Sequence, residues 1–283
     1  MTTDHTTLIS ADSLRTLLGS GRHVVLIDTG FDLADVAAGE RSWREGHVPG
    51  SHYLHLDRDL SGPKTGTNGR HPLPARNEFA ATLGRCGITP QTQVVAFDRQ
   101  GGMYAARLWW MLRWMGHSAA AVLDGGVAAW VAAGGTLVVG DGSAAASTSY
   151  PDRPALGATI DADALAARLG RARLIDARAG ERFRGEVEPL DAAAGHIPGA
   201  SNRFFKDNLD SAGRFKPAPQ LRAEFAPLLG AAGATEVVHQ CGSGVTACHN
   251  LLAMEHAGLA GSVLYAGSWS EWSANPLLPV ARG

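Results

Sequence analysis

The chain has 283 residues, of which 45% are hydrophobic and 18% charged, a balance that excludes intrinsic disorder and, at about 150 residues per domain, supports roughly two domains. Lys and Arg number 25 against 27 Asp and Glu, for a formal net charge of -2, so there is no basic excess to attract phosphate backbones and nucleic acid is not expected as a partner. Three cysteines, Cys86, Cys241 and Cys248, are odd in number and include no C-x-x-C pair, which argues against a disulfide framework.

In chain order, the stretch from Met1 to Ser10 carries Asp4 and His5 and no apolar core, so it does not read as a secretory signal. Val24 to Ile27 is a short β-branched run and predicts a central strand. A turn, Gly46-His47-Val48-Pro49-Gly50, follows. Val94 to Phe97 predicts a second central strand, and Ala105 to Met115 a helix behind it. The tryptophans and methionines of that helix are read as a buried apolar face. Leu108 to Leu123, the most hydrophobic stretch, is broken by Arg113 and His117 and is too short to span a bilayer. No membrane partner is expected, and a cytoplasmic location is. Gly140 to Gly157, rich in Gly, Ala, Ser and Pro without apolar periodicity, reads as a linker.

Beyond it the pattern repeats. Val25-Leu26-Ile27-Asp28 recurs as Leu174-Ile175-Asp176, and the His47 turn as Gly195-His196-Ile197-Pro198-Gly199. Val94 to Phe97 matches Val237 to Gln240. Val122-Leu123-Asp124-Gly125-Gly126 with Trp130 matches Val263-Leu264-Tyr265-Ala266-Gly267 with Trp272. Four blocks in one order argue for two copies of one domain. The boundaries are 8–139, a linker at 140–158, and 159–283. Each copy alternates strands with helices, which implies an α/β fold with a parallel sheet covered by helices. His47 and His196 occupy equivalent places in the two copies, which favours a repeated structural role over a shared metal.

In the second copy Cys241-Gly242-Ser243-Gly244-Val245-Thr246-Ala247 joins the Val237 strand to a helix predicted over Thr246 to Ala257. Strand–loop–helix geometry aims backbone N–H groups and a helix N-terminus at the sulfur, which favours a thiolate nucleophile. Gly242 and Gly244 are expected to supply backbone angles that other residues avoid, and the amides from Gly242 through Val245 and Thr246 to cradle an anion. Ala247 stands where a cysteine-dependent phosphatase needs arginine. No lysine completes a nucleotide P-loop. Cys241, Cys248 and His249 fall short of a structural zinc set. Cys248, inside the predicted helix, is read as a packed small hydrophobe.

The loop, the two Gly-His-(Val/Ile)-Pro-Gly turns, the Asp124-Gly125-Gly126 and Gly267-Ser268-Trp269-Ser270-Glu271-Trp272 segments, and the tandem repeat together resemble the two-domain rhodanese family of sulfurtransferases, from about Leu8 to Val280. The resemblance implies tandem rhodanese-like domains with a catalytic cysteine only in the second; the first copy has Asp98 at the matching strand end. It also implies chemistry, needing no metal or organic cofactor, in which Cys241 takes the outer sulfur of a small-molecule donor and passes it, as a persulfide, to cyanide or to a thiol or thioredoxin-like acceptor. A loop that is neutral at Gly242 and Ser243 is similar to that of members acting on 3-mercaptopyruvate. Thiosulfate is the alternative donor, and a non-enzymatic sulfur carrier a third reading. By resemblance Arg182 binds the donor carboxylate, and Ser243, oriented by His71 and Asp57, protonates the leaving group. Leu190 departs from the family, where an arginine follows Glu-Pro.

Overall fold

The computed structural model describes residues 4–142 and 145–283 of the chain. Residues 1–3, at the start of the stretch weighed as a signal, and 143–144, inside the expected linker, lie outside the described residues. Two compact units are present. The first comprises Met1–Ser61, Pro74–Leu156 and Ser211–Arg214, and the second Gly62–Leu73, Gly157–Asp210 and Phe215–Gly283.

The first unit is built on strands β1 (Leu8–Ile9), β2 (Val24–Asp28), β3 (His52–Tyr53), β4 (Gln93–Phe97) and β5 (Ala120–Leu123), hydrogen-bonded in the order β1-β5-β4-β2-β3. The second repeats this with β6 (Ala158–Ile160), β7 (Arg173–Asp176), β8 (Ser201–Asn202), β9 (Val237–Gln240) and β10 (Val263–Tyr265) in the order β6-β10-β9-β7-β8. Every pairing is parallel. Burial on both faces explains the near-continuous apolar runs of the central strands, and β4 and β9 are buried at every position. The expected central strands are therefore present, each extended by one residue at one end.

Helices Ala105–Trp114 and Ala247–His256 follow β4 and β9, within one residue of the expected ends. Ala105 through Leu112 are all buried, so Trp109 and Trp110 are core, at about 1.5–3 kcal/mol of transfer free energy for each large apolar side chain. Each unit has its own apolar cluster: Ile9, Leu14, Leu26, Phe97 and Trp130 in the first, and Leu174, Val238, Tyr265, Trp269 and Trp272 in the second. The two turn histidines play matching parts. His47 Nδ1 bonds the Trp43 carbonyl at 2.9 Å and its ring stacks on Trp43, and His196 Nδ1 bonds the Phe183 carbonyl at 2.9 Å and stacks on Phe183.

Two details differ from the sequence reading. Gly62–Leu73, in chain order part of the first repeat, packs as part of the second unit. The match between the last repeat blocks also shifts by one residue: the helices after β5 and β10 begin at Gly126 and Ser268, so Gly126 corresponds to Ser268. The hydrogen bonds agree, since Val127 N donates to the Asp98 carbonyl and Trp269 N to the Cys241 carbonyl.

Candidate active site

β4 and β9 are the central strands, with neighbours of different connectivity on either side. In open parallel sheets the crevice for a ligand opens at the carboxyl end of such a strand. The loops there have one design and two contents.

In the first unit the content is a carboxylate. Asp98, 1% exposed, accepts four backbone N–H bonds, from Gln100 at 2.9 Å and Gly102 at 2.8 Å on Oδ1 and from Tyr104 at 2.8 Å and Ala105 at 3.0 Å on Oδ2. The loop curls around an anion that the chain itself provides, an amide nest closed from within.

In the second unit the matching position is Cys241, 2% exposed. Its own amide donates to Ser268 Oγ at 3.1 Å, and its carbonyl accepts from Trp269 N at 3.0 Å. Among the described residues the amides of Gly242, Ser243, Val245 and Thr246 have no protein acceptor, whereas four amides of the first unit's loop bond Asp98. Thr246 precedes the first turn of the helix Ala247–His256 without capping it through its side chain, so the positive end of that helix also faces the loop. Val245 is buried beside it.

The two loop glycines serve different ends. Gly244 has φ +76°, and a Cβ there would stand 2.2 Å from the Ala266 carbonyl oxygen, so conformation and space both require glycine. Gly242 is absent from the residues of positive φ, which corrects the expectation of an unusual backbone angle there. It needs space: a Cβ would lie 2.9 Å from Arg70 Nη2 and 3.4 Å from Arg182 Nη1.

Ser243 is buried, and its Oγ lies 2.7 Å from Nδ1 of the buried His71. His71 reaches it from the segment Gly62–Leu73, which several bonds fix to the second unit. Arg70 N donates to Ser270 Oγ at 3.0 Å, and Gly69, at φ +83°, lies so close to the chain at Gly267 that a Cβ would meet its carbonyl oxygen at 2.7 Å. Gly62 N closes the segment on the Pro72 carbonyl at 2.9 Å. Asp57 belongs to the first unit, on the short helix Leu56–Asp59, whose first amides are capped by His55 Nδ1.

Arg182, on the short helix Gly180–Arg184, bonds Glu188 Oε1 at 2.6 Å and Asp191 Oδ2 at 2.9 Å through one nitrogen, Nη2. Both carboxylates are buried, at 3% and 2% side-chain exposure. Its neighbours have structural duties. Arg178 is buried, grips Asp176 through Nε and Nη2, and lies over the Trp269 ring at 4.7 Å. Arg184 pairs with Glu186 at the surface. Leu190 is 49% exposed and supplies no guanidinium.

Two residues escaped sequence reasoning. Arg70, beside His71 in the chain, brings a guanidinium to Gly242, paired with Asp191. Ser268 has φ 54° and is the one non-glycine of positive φ among the described residues, where Gly126 of the first copy has φ 57°. Such a conformation costs a non-glycine residue of the order of 1–3 kcal/mol. The hydroxyl that comes with it holds the Cys241 amide. A correct register between the repeats, pairing Ser268 with a glycine, would have marked it.

The Rhodanese-like domain family matches residues 10–133 and 161–275. A probable 3-mercaptopyruvate sulfurtransferase of Pseudomonas aeruginosa is 47% identical over 280 residues, covering 98% of each chain. A putative thiosulfate sulfurtransferase, SseB, of Mycobacterium tuberculosis is 38% identical over 278 residues, covering 98% of this chain and 97% of that one. Among solved structures, the 3-mercaptopyruvate sulfurtransferase from Leishmania major superposes with a TM-score of 0.83 at 29% identity, over 95% of this chain and 74% of that one.

Proposed function

The chain belongs to the rhodanese-like family, in two copies, and is a sulfurtransferase; from that premise we propose that its donor is 3-mercaptopyruvate and that Cys241 carries the sulfur. The observation that carries this reading is the buried Ser243–His71 pair, 2.7 Å apart, two residues along the loop from Cys241. Sulfite leaving thiosulfate departs as a stable anion. Pyruvate leaving 3-mercaptopyruvate departs as an enolate that needs a proton at C3, so a positioned hydroxyl has work to do only with the second donor.

The Cys241 thiolate attacks the donor sulfur. An S–S bond forms, the C3–S bond breaks, and its electron pair goes to C3. Ser243 Oγ gives its proton to that carbon and regains one from His71 Nδ1, and pyruvate leaves. The loop amides from Gly242 to Thr246 hold the Cys241 persulfide until a thiol, a thioredoxin-like dithiol or cyanide takes the outer sulfur. Asp57 enters this account on the family resemblance alone, as the group that orients His71. The first copy is proposed as non-catalytic, since the Asp98 carboxylate fills its loop. A reducing compartment, the cytoplasm, suits three free and buried cysteines. Among the described residues no helix is long and apolar enough to cross a membrane.

Ser243→Ala tests the reading. With 3-mercaptopyruvate kcat is expected to fall by about 10²-fold or more while KM changes little; with thiosulfate kcat should hold. Equal retention of kcat with both donors would overturn the protonating role. Arg182→Ala is expected to raise the KM for 3-mercaptopyruvate about tenfold or more, the size of one charge-assisted hydrogen bond, with a smaller effect on kcat. Steady-state kinetics with a fixed thiol acceptor reads both, and an unchanged KM would take the donor carboxylate away from Arg182.

The second reading, thiosulfate as donor, is favoured by one observation: two guanidiniums meet at Gly242, restoring beside the loop the positive charge that Gly242 and Ser243 lack within it.

A further inference from the structure

The geometry points to Arg70 as a donor-binding residue, which with Arg182 forms a two-guanidinium clamp over Gly242, held from behind by the shared carboxylate of Asp191. This rests on the reading of 3-mercaptopyruvate as donor and deepens it, by naming the group that stands in for the arginine missing at Leu190.

Asp191, 2% exposed at its side chain, divides its oxygens between the two arginines: Oδ1 takes Nη1 of Arg70, and Oδ2 takes Nη2 of Arg182 at 2.9 Å. Each guanidinium is thereby held by one terminal nitrogen while the other is left over. The leftover nitrogens, Arg70 Nη2 and Arg182 Nη1, have no protein acceptor among the described residues. They converge on one spot, within 2.9 and 3.4 Å of where a Gly242 Cβ would be, directly beside Cys241 in the chain. Two guanidinium nitrogens, Arg70 Nη2 and Arg182 Nη1, converging on one point while their partner nitrogens are held by carboxylates, match a planar anion with adjacent oxygens, such as a 2-oxo carboxylate.

Electrostatics agrees with this arrangement. Burial pushes the Arg70 pKa down, the like charge of Arg182 pushes it further, and the Cys241 sulfur draws it back up. A bound carboxylate between the guanidiniums relieves that repulsion. The position of Arg70 is also fixed independently of any ligand, through its amide on Ser270 Oγ and the close approach of Gly69 to Gly267, so the clamp is preorganised.

The test is steady-state kinetics of the full chain with 3-mercaptopyruvate and with thiosulfate, for wild type, Arg70→Gln and Arg70→Lys, with pyruvate as a product inhibitor. Arg70→Gln is expected to raise the KM for 3-mercaptopyruvate and the inhibition constant of pyruvate together, by about ten- to hundredfold, with kcat within about threefold. Arg70→Lys, which keeps charge and loses the fork, should recover part of the loss. A purely structural role would lower thermal stability and kcat without this selective rise, and Arg70→Lys, the gentler change, gives the same readout if Arg70→Gln folds poorly. Unchanged KM and pyruvate inhibition in both variants would overturn the clamp. If wild type prefers thiosulfate and Arg70→Gln raises the KM for thiosulfate, the clamp stands and the donor assignment alone falls.

Discussion

Cys241→Ser is expected to abolish sulfur transfer from either donor, by at least about 10⁴-fold in kcat/KM, the scale of losing a covalent nucleophile. The serine hydroxyl is nearly isosteric, but it is not ionised by a ring of amides at neutral pH and does not form a persulfide. The fold should survive, because the contacts that hold position 241 use its backbone: the amide on Ser268 Oγ and the carbonyl under Trp269 N. Unfolding stability within about 1 kcal/mol of wild type is the expected control. Cys248→Ala should keep turnover, since Cys248 is fully buried on the helix Ala247–His256 and directs its Sγ to the Gly244 carbonyl at 3.4 Å. Mass spectrometry of enzyme treated with donor alone should find one added sulfur on wild type and on Cys248→Ala and none on Cys241→Ser. Sulfur loading of Cys241→Ser would remove Cys241 from the nucleophile's role.

Asp98→Ala carries the largest expected loss of stability. The carboxylate is buried and satisfies four amides at 2.8–3.0 Å. Alanine leaves the buried amides of Gly102, Tyr104 and Ala105 without an acceptor, while Gln100 is exposed, and breaking a buried charged cluster of this kind costs about 3–5 kcal/mol. Asp98→Asn keeps one acceptor oxygen and places an amide nitrogen among donors, so an intermediate loss is expected. Five of the seven tryptophans stand in the first unit, so urea unfolding followed by tryptophan fluorescence reports on it. A midpoint for Asp98→Ala equal to wild type would show that the amides are satisfied without the carboxylate. The comparison matters for function as well. One loop design holds a carboxylate of its own in the first copy and the Cys241 sulfur in the second, which supports the proposal that only the second copy is catalytic.

Much of this was legible in the sequence because it is written in local pattern. The β-branched runs at Val24 and Val237 are long enough to mark central strands, and the jump from Gln240 through Cys241 into a helical pattern marks the loop. The edge strands β1, β3 and β8, two residues each, have too few residues for any periodicity to show. Asp98 was legible only as a missing cysteine; its four hydrogen bonds depend on a loop path that the sequence does not display. Arg70 and Asp191 were harder still. They meet across 121 residues of chain, and Gly62–Leu73 reads as an ordinary polar loop of the first repeat until its packing is known. Leu190 drew attention because a familiar arginine is missing there. The replacement guanidinium arrives from a distant segment, which single-sequence spacing has no means of revealing.

Gly242→Arg with Ser243→Lys would place a side chain against two existing guanidiniums and remove the hydroxyl paired with His71. Loss of activity with both donors is the expected outcome, in place of a switch toward thiosulfate.

The central claim, that this site is built for a donor whose leaving group needs a proton, is tested most directly by kcat/KM of the wild-type chain for 3-mercaptopyruvate and thiosulfate, side by side with one thiol acceptor. The account predicts a preference for 3-mercaptopyruvate of at least about 10²-fold, the contribution of a positioned proton donor. Equal or greater efficiency with thiosulfate would contradict it, leaving the Arg70–Arg182 pair as a receptor for a dianion and the Ser243–His71 pair without a step to serve.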